Sequence, residues 1–361
     1  MATVSNLAGM PEQVGGRSPQ LYSIDPLSDV RWDALVAKHP KASVFHQRGW
    51  LTSLASTYGY KPIVLTSAAA GEPLTDGIPF CAVKSWITGD RLVSLPFADH
   101  CEPLLNDCGK PVEFTEWMSG ERERHHWKYV ELRPISWCPD SNSRFGADRS
   151  YWFHTLDLTP SLEQVFRNFH KDSLQRRIRR AEREHLSYRT GRSEELLSDF
   201  YRLLLITRRR HQLPPQPLAW FRNLIRNMGE NLQIRVARKG GVAVAALLTL
   251  RYRTTAIYKY GCSDHRFHSL AAIPFLFWKF IEDSKATGAE QIDFGRSDLD
   301  QDGLINFKDH FGTTRQRITY LRYPNVERNS PGRMTAVRRI FSVLPDSLSR
   351  LAGDLVYRHL G

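Results

Sequence analysis

Ile292-Asp293-Phe294-Gly295-Arg296-Ser297-Asp298, followed shortly by Asn306-Phe307-Lys308-Asp309-His310-Phe311-Gly312, is the stretch on which the fold turns. It reads as a strand, an open loop and a short helix. Gly295 lets the backbone leave the strand without a side chain in the way, and Arg296 sets a permanent positive charge where the strand opens. That geometry suits an anionic ligand. On the helix, Leu304, Phe307, Lys308 and Phe311 fall at i, i+3, i+4 and i+7, so the lysine shares the stripe that faces the core. Two readings of Lys308 stay open: a functional ammonium, or a stem that snorkels its charge to the surface.

Outward from this stretch the chain alternates strands and helices. The second half predicts helical segments over 161–186 and 194–229, a hairpin over 232–251 turning at Lys239-Gly240-Gly241, a strand at 256–260 and an apolar helix over 270–287. The strand 290–294, a helix over 303–311 and a last strand at 318–323 follow. The first half uses the same grammar: two helices, a hairpin over 62–86, a strand at 91–95, a helix over 112–127 and a strand at 129–132. The expected architecture is α/β (α+β), two tandem units over 20–145 and 150–325 with mixed sheets flanked by helices. The seam is expected between Cys138 and Tyr151, where turn formers gather. Residues 1–19 read as a flexible leader, and 330–361 as a basic amphipathic helical tail. That tail either lies on a membrane surface or packs on the protein.

At 361 residues, with 41% hydrophobic and 24% charged, the chain can bury a large core and is not of disordered composition. A formal charge of +12 favours phosphate-bearing partners: nucleic acid, coenzyme, nucleotide sugar or lipid headgroup. Cys81, Cys101, Cys108, Cys138 and Cys262 are odd in number and never in a CxxC arrangement, so neither a zinc site nor a disulfide framework follows. A cytoplasmic setting is expected. GxSxG, HExxH, P-loop and Rossmann glycine patterns are absent from the sequence, which removes the main support for serine hydrolase, zinc protease, NTPase and dinucleotide oxidoreductase.

Three further segments carry candidate chemistry. In the loop 262–269, Arg266 and the start of the following helix form a candidate phosphate site; the plainer reading makes Ser269 the helix cap. Arg176, Arg180 and Arg183 share a helix face that either meets a phosphate-bearing partner or is simply solvated. Asp99, His100 and Glu102 stand in a strand-to-loop transition and are candidate general bases.

Phe307-Lys308-Asp309-His310-Phe311-Gly312, the preceding Asp293-Phe294-Gly295-Arg296-Ser297-Asp298 and the Leu92–Leu105 stretch resemble the FemAB-like branch of the GNAT acyltransferase superfamily, most of all members associated with exopolysaccharide and exosortase loci. The resemblance covers residues 20–325. It implies two tandem GNAT-like domains and an N-acyltransferase that passes an activated acyl or aminoacyl group to an amine of a cell-envelope precursor. It implies acyl-CoA or aminoacyl-tRNA as co-substrate, no permanently bound cofactor or metal, and a phosphate-bearing or lipid-linked acceptor, with the protein cytoplasmic or peripheral at the inner face of the membrane. Lys308 inherits a role in stabilising a carbonyl oxyanion or a substrate phosphate. Backbone N–H groups near Tyr258 to Gly261 are expected to receive the developing charge, Asp99, His100 or Glu102 the amine proton, and Tyr260 to reprotonate the leaving group. Arg296, Asp293, Arg266, Ser269, Arg176 and Arg180 are the binding candidates. Coenzyme-A-binding relatives carry R/QxxGxG/A before the long helix; Ser269 stands here in place of the first glycine. The reading from another class is a noncatalytic module on the same scaffold that binds polysaccharide or nucleic acid.

Overall fold

Turn residues and apolar runs divide the chain into short strands joined by amphipathic helices, and the computed structural model describes residues 21–106, 111–136, 144–325 and 356–359. In the first half β1 (Tyr22–Ile24), α1 (Val30–Lys38) and α2 (Arg48–Tyr58) precede β2 (Lys61–Thr66), β3 (Ile78–Val83) and β4 (Arg91–Val93); α3 (Pro111–Arg124) then leads to β5 (Tyr129–Leu132). The second half begins with β6 (Gly146–Asp157), α4 (Leu162–Arg167), α5 (Arg176–Arg183), β7 (Ser187–Gly191), α6 (Glu194–Arg210) and α7 (Leu218–Met228). It continues with β8 (Leu232–Lys239), β9 (Val242–Tyr252), β10 (Thr255–Ser263), α8 (Ala272–Ala286), β11 (Gln291–Asp298), α9 (Asp302–Asp309) and β12 (Thr314–Tyr323).

The strands of both halves run into one twelve-stranded sheet, ordered β1-β2-β3-β4-β5-β12-β6-β11-β10-β9-β8-β7. Neighbours are antiparallel except β4 with β5 and β10 with β11. Parallel neighbours need a crossover, which α3 and α8 supply, so the same strand-helix-strand unit occurs once in each half. The joint between them is β12, which pairs with β5 on one side and β6 on the other. Separate sheets were expected; a strand from the far end of the chain fuses them instead.

The expected seam overlaps β6, whose first residues Gly146 to Ser150 are too polar to announce a strand, and residues 137–143 lie outside the described ones. β7 falls between the helical segments expected over 161–186 and 194–229, where no strand was expected. It is a short polar strand at the sheet edge, where charge discourages further pairing. The leader 1–19 and residues 326–355, 360 and 361 of the tail also lie outside the description. Of the tail, residues 356–359 are packed on the protein: Tyr60 Oη donates to the Tyr357 carbonyl at 3.0 Å, and Tyr357 Oη donates to the Pro214 carbonyl at 3.1 Å. Among the described residues no helix is long and apolar enough to cross a membrane.

One apolar core runs unbroken beneath both halves, from Trp32, Phe45 and Trp50 to Phe200, Trp220 and Ile257. There α2 meets α7, with the Trp50 and Trp220 rings edge to face at 5.2 Å. Contact is close because residue 49 is glycine: a Cβ built there would sit 2.4 Å from the Asn227 carbonyl oxygen. Asn227 Nδ2 donates to Ser53 Oγ at 3.1 Å, and Asn223 Nδ2 to Thr57 Oγ1 at 2.8 Å. Gly49→Ala raises helix propensity by about 1 kcal/mol, yet the clash is with backbone and cannot be relieved by a rotamer. The steric term wins: a net loss of about 1–2 kcal/mol is expected in urea unfolding, and an unchanged or higher midpoint would show that the two helices are free to slide apart.

Candidate functional site

β10 and β11 pair only from Thr255–Ile257 to Gln291–Asp293 and then part. Each strand also breaks its other ladder at this level. Register slips in β10 between Tyr258 and Tyr260, so Lys259 is the extra residue of a bulge; in β11 it slips between Asp293 and Arg296. Gly295 takes φ +70°, and a Cβ there would lie 3.2 Å from Asp99 Oδ2. Both conformation and space therefore select glycine.

Lys308 reaches this opening from α9. It is 2% exposed, and Nζ donates to the carbonyls of Gly295 and Arg296, each at 3.0 Å. Burial lowers its pKa to about 8, with Asp99 and Asp293 opposing the shift. Asp99 arrives from the loop after β4, whose Leu95 and Phe97 hold positive φ without being glycine, a conformation kept only where the surroundings enforce it. Arg133 Nη1 donates to the Leu95 and Ala98 carbonyls, and Tyr320 Oη to that of Asp99 at 2.7 Å. Asp99 Oδ2 accepts from Lys259 Nζ at 2.8 Å, and Arg296 Nε lies 3.8 Å from Oδ1. Burial works to raise the Asp99 carboxyl, but Lys259 and Arg296 hold it below its ordinary value. The Arg296 guanidinium stacks 4.0 Å over Tyr151, and its Nη1 has no hydrogen-bond partner among the described residues. His100 Nε2 is 3.0 Å from Asp293 Oδ2, while its buried Nδ1 is likewise unpartnered; Asp293 Oδ1 accepts the Gly295 N–H at 2.6 Å. Three cations, Lys259, Arg296 and Lys308, thus face two carboxylates, Asp99 and Asp293, an arrangement that favours an anionic or strongly polar ligand.

The structure gathers Lys308, Asp99, His100, Asp293 and Arg296 in one place. Tyr260 borders it, its ring 5.8 Å from Lys259 Nζ, with its oxygen accepting from Trp220 Nε1 at 2.9 Å and burial pushing the phenol pKa up. Glu102 is turned elsewhere: its carboxylate accepts from the N–H groups of Ile135 and Ser136 and from Ser136 Oγ, which clamps a loop and leaves no role as base. Ser269 does not cap the long helix, which starts at Ala272 behind a left-handed Ala271; Ser269 sits exposed in a preceding 3-10 turn. Arg266 folds back on Asp264, at 2.6 Å. Arg176 and Arg180 are exposed on α5, where Arg176 pairs with Asp172 at 2.8 Å. Beside the first turn of α8 lies a pocket of about 470 Å³ lined by Phe267, Ile273, Leu304 and Phe307, with Arg177 and Arg210 among its walls. Lys259, Tyr151 and Tyr320 were not anticipated. A lysine between Tyr258 and Tyr260 in an apolar strand was the available signal for the first.

The low pKa of Lys308 has a thermodynamic consequence. Below pH 8 both folded and unfolded chains carry the proton; between about pH 8 and 10.5 the unfolded chain holds more protons, so stability rises with pH through that window. Urea unfolding of the wild type relative to Lys308→Met should show a gain of about 2 kcal/mol from pH 7.5 to 9.5. A difference that stays flat would mean that the ammonium is not desolvated.

Residues 168–309 match the model of the acetyltransferase (GNAT) domain family. No curated protein sequence matches the chain. Among solved structures, FemX superposes with a TM-score of 0.64 at 13% identity, over 81% of this chain and 94% of that one. A protein described as the C-terminal domain of a lysylphosphatidylglycerol synthetase from Agrobacterium fabrum gives 0.53 at 13% identity, over 90% and 95%. A tandem GNAT protein from the clavulanic acid biosynthesis pathway gives 0.54 at 9% identity, over 86% and 100%. At these identities the likeness is one of fold.

Proposed function

We propose that this chain, a GNAT protein with the fold of the FemAB-like branch, is an N-acyltransferase that moves an activated acyl or aminoacyl group onto an amine of a cell-envelope or exopolysaccharide precursor. The observation that carries this reading is the buried Lys308 ammonium, held by two strand carbonyls where β10 and β11 part, with Lys259 and Arg296 beside Asp99 at the same opening. In it, residues 20–145 and 150–325 act as two GNAT-like domains with the reacting groups between them.

The acceptor amine attacks the carbonyl carbon of a thioester or ester. As the C–N bond forms, negative charge grows on the carbonyl oxygen, facing the remaining Lys308 N–H and the N–H groups around the Lys259 bulge. His100 donates through Nε2–H to Asp293, which leaves its Nδ1 lone pair to take the amine proton. The C–S or C–O bond then breaks, and the proton returns to the leaving group from His100 or through Tyr260. No covalent enzyme intermediate is required.

The pocket beside α8, with Arg177 and Arg210 in its wall, supports a phosphate-bearing donor, acyl-CoA or aminoacyl-tRNA. The product named for the synthetase domain, an aminoacylated lipid, supports a lipid-linked acceptor and, with it, a place at a membrane surface. The test is incubation of the full chain with acyl-CoA, aminoacyl-tRNA and amine-bearing nucleotide-sugar pools, read by mass spectrometry. An N-acylated product is expected. Tight, salt-dependent RNA or glycan binding with no transfer from any donor would favour the noncatalytic module instead.

A further inference from the structure

The hairpin tip between β3 and β4, Lys84-Ser85-Trp86-Ile87-Thr88-Gly89, carries the most exposed large apolar side chain among the described residues: Trp86 is 88% exposed, and Ile87 beside it 46%. The tip is braced. The Ser85 N–H donates to Asp90 Oδ1 at 2.9 Å, Ser85 Oγ accepts from the Thr88 N–H at 3.0 Å, and the Gly89 N–H returns to the Ser85 carbonyl at 2.8 Å. Behind it, His359 Nδ1 lies 3.0 Å from Ser85 Oγ, Arg91 Nη2 donates to the His359 carbonyl at 2.9 Å, and the Trp86 ring meets that of His359 edge to face at 5.6 Å. An indole held in water by a rigid turn forgoes burial worth about 1.5–3 kcal/mol, which folding alone does not explain.

Charge surrounds it. Lys84 and Arg358 are exposed, and Lys128, also exposed, runs its stem under Gly89 with Nζ 3.4 Å from the Thr88 carbonyl. Lys61, exposed and in register with Ala82, stands at the same end of the sheet. Asp90, the acid of the turn, directs one oxygen at the Ser85 N–H. An indole and an aliphatic side chain ringed by lysine and arginine match the headgroup layer of an anionic bilayer, which offers an apolar boundary directly beneath phosphates.

We propose that the β3–β4 tip docks the protein onto an anionic lipid surface, Trp86 and Ile87 entering the headgroup region while Lys84, Lys128 and Arg358 face lipid phosphates. The inference is independent of which groups the acyl site transfers. Co-sedimentation of the full chain with phosphatidylglycerol–phosphatidylcholine vesicles tests it, with phosphatidylcholine vesicles as reference. Binding is expected on the anionic vesicles alone and should weaken with salt. Trp86→Ser with Ile87→Ser, and separately Lys84→Glu with Lys128→Glu, should each lower partitioning by about tenfold or more, with Tm unchanged. The proposal is overturned if the wild type ignores anionic vesicles or if both double variants bind as it does. It is equally overturned if light scattering shows a wild-type dimer that Trp86→Ser with Ile87→Ser turns into a monomer, since the tip then belongs to a second copy of the chain.

Discussion

Lys308→Met is expected to lower turnover by about a hundredfold to a thousandfold while KM for the donor moves little. Two of the ammonium's hydrogens are fixed on the Gly295 and Arg296 carbonyls, and its burial, which also lowers its pKa to about 8, keeps water from it. An N–H aimed at a growing oxyanion from such a site gains strength as the charge develops, which places the loss in kcat. Methionine keeps length and apolar bulk, so circular dichroism and Tm should report a folded protein. Lys308→Arg should not rescue, because a planar guanidinium cannot occupy the position of a point charge 3.0 Å from two carbonyls. Steady-state kinetics with the identified donor and acceptor decide the matter. Turnover within about threefold of wild type would remove Lys308 from the chemistry.

Asp99→Leu should destabilise the fold by about 3–5 kcal/mol. Asp99 is the anion between Lys259, which is buried among Phe45, Trp50 and Tyr260, and the stacked Arg296. Removing it strands a lysine ammonium in an aromatic surround, a costlier state than losing both charges together. The double variant Asp99→Leu with Lys259→Met should therefore recover most of the lost stability, and a double-mutant cycle in urea isolates the coupling. Additive effects would mean that the two side chains do not form the buried pair seen here.

What could be read from the chain follows from how local each determinant is. Gly295, Arg296 and Lys308 lie within fourteen consecutive residues, and a strand end followed by a one-face helix was enough to bring them together. The i, i+3, i+4, i+7 spacing correctly turned Lys308 inward with Phe311, although Leu304 at the head of that stripe stays 37% exposed. The Asp99–Lys259 pair is separated by 160 residues, and no local pattern encodes a contact across the two halves. Asp99, His100 and Glu102 looked equivalent in sequence. Backbone N–H groups of Ile135 and Ser136 capture Glu102, while Asp293 takes His100, and only the folded chain makes that choice. Ser269 had the chemistry of a cap but not the position, because a 3-10 turn separates it from α8. β6 was missed since its early residues are charged, and its strand identity comes from β11 and β12 on either side.

The placement of β12 between β5 and β6 bears on how this chain is made. A ribosome delivers β5 by residue 132, but the strand that covers its open edge ends at Tyr323. At about 5–20 residues per second the nascent first half waits roughly ten to forty seconds with that edge unsatisfied. Its shortness, four residues, limits what can add to it in the meantime. Translation that stops before β12 leaves β5 and β6 each with a raw edge, beyond the β1 and β7 edges that the finished sheet keeps, and such truncated products should be the ones that call on chaperones.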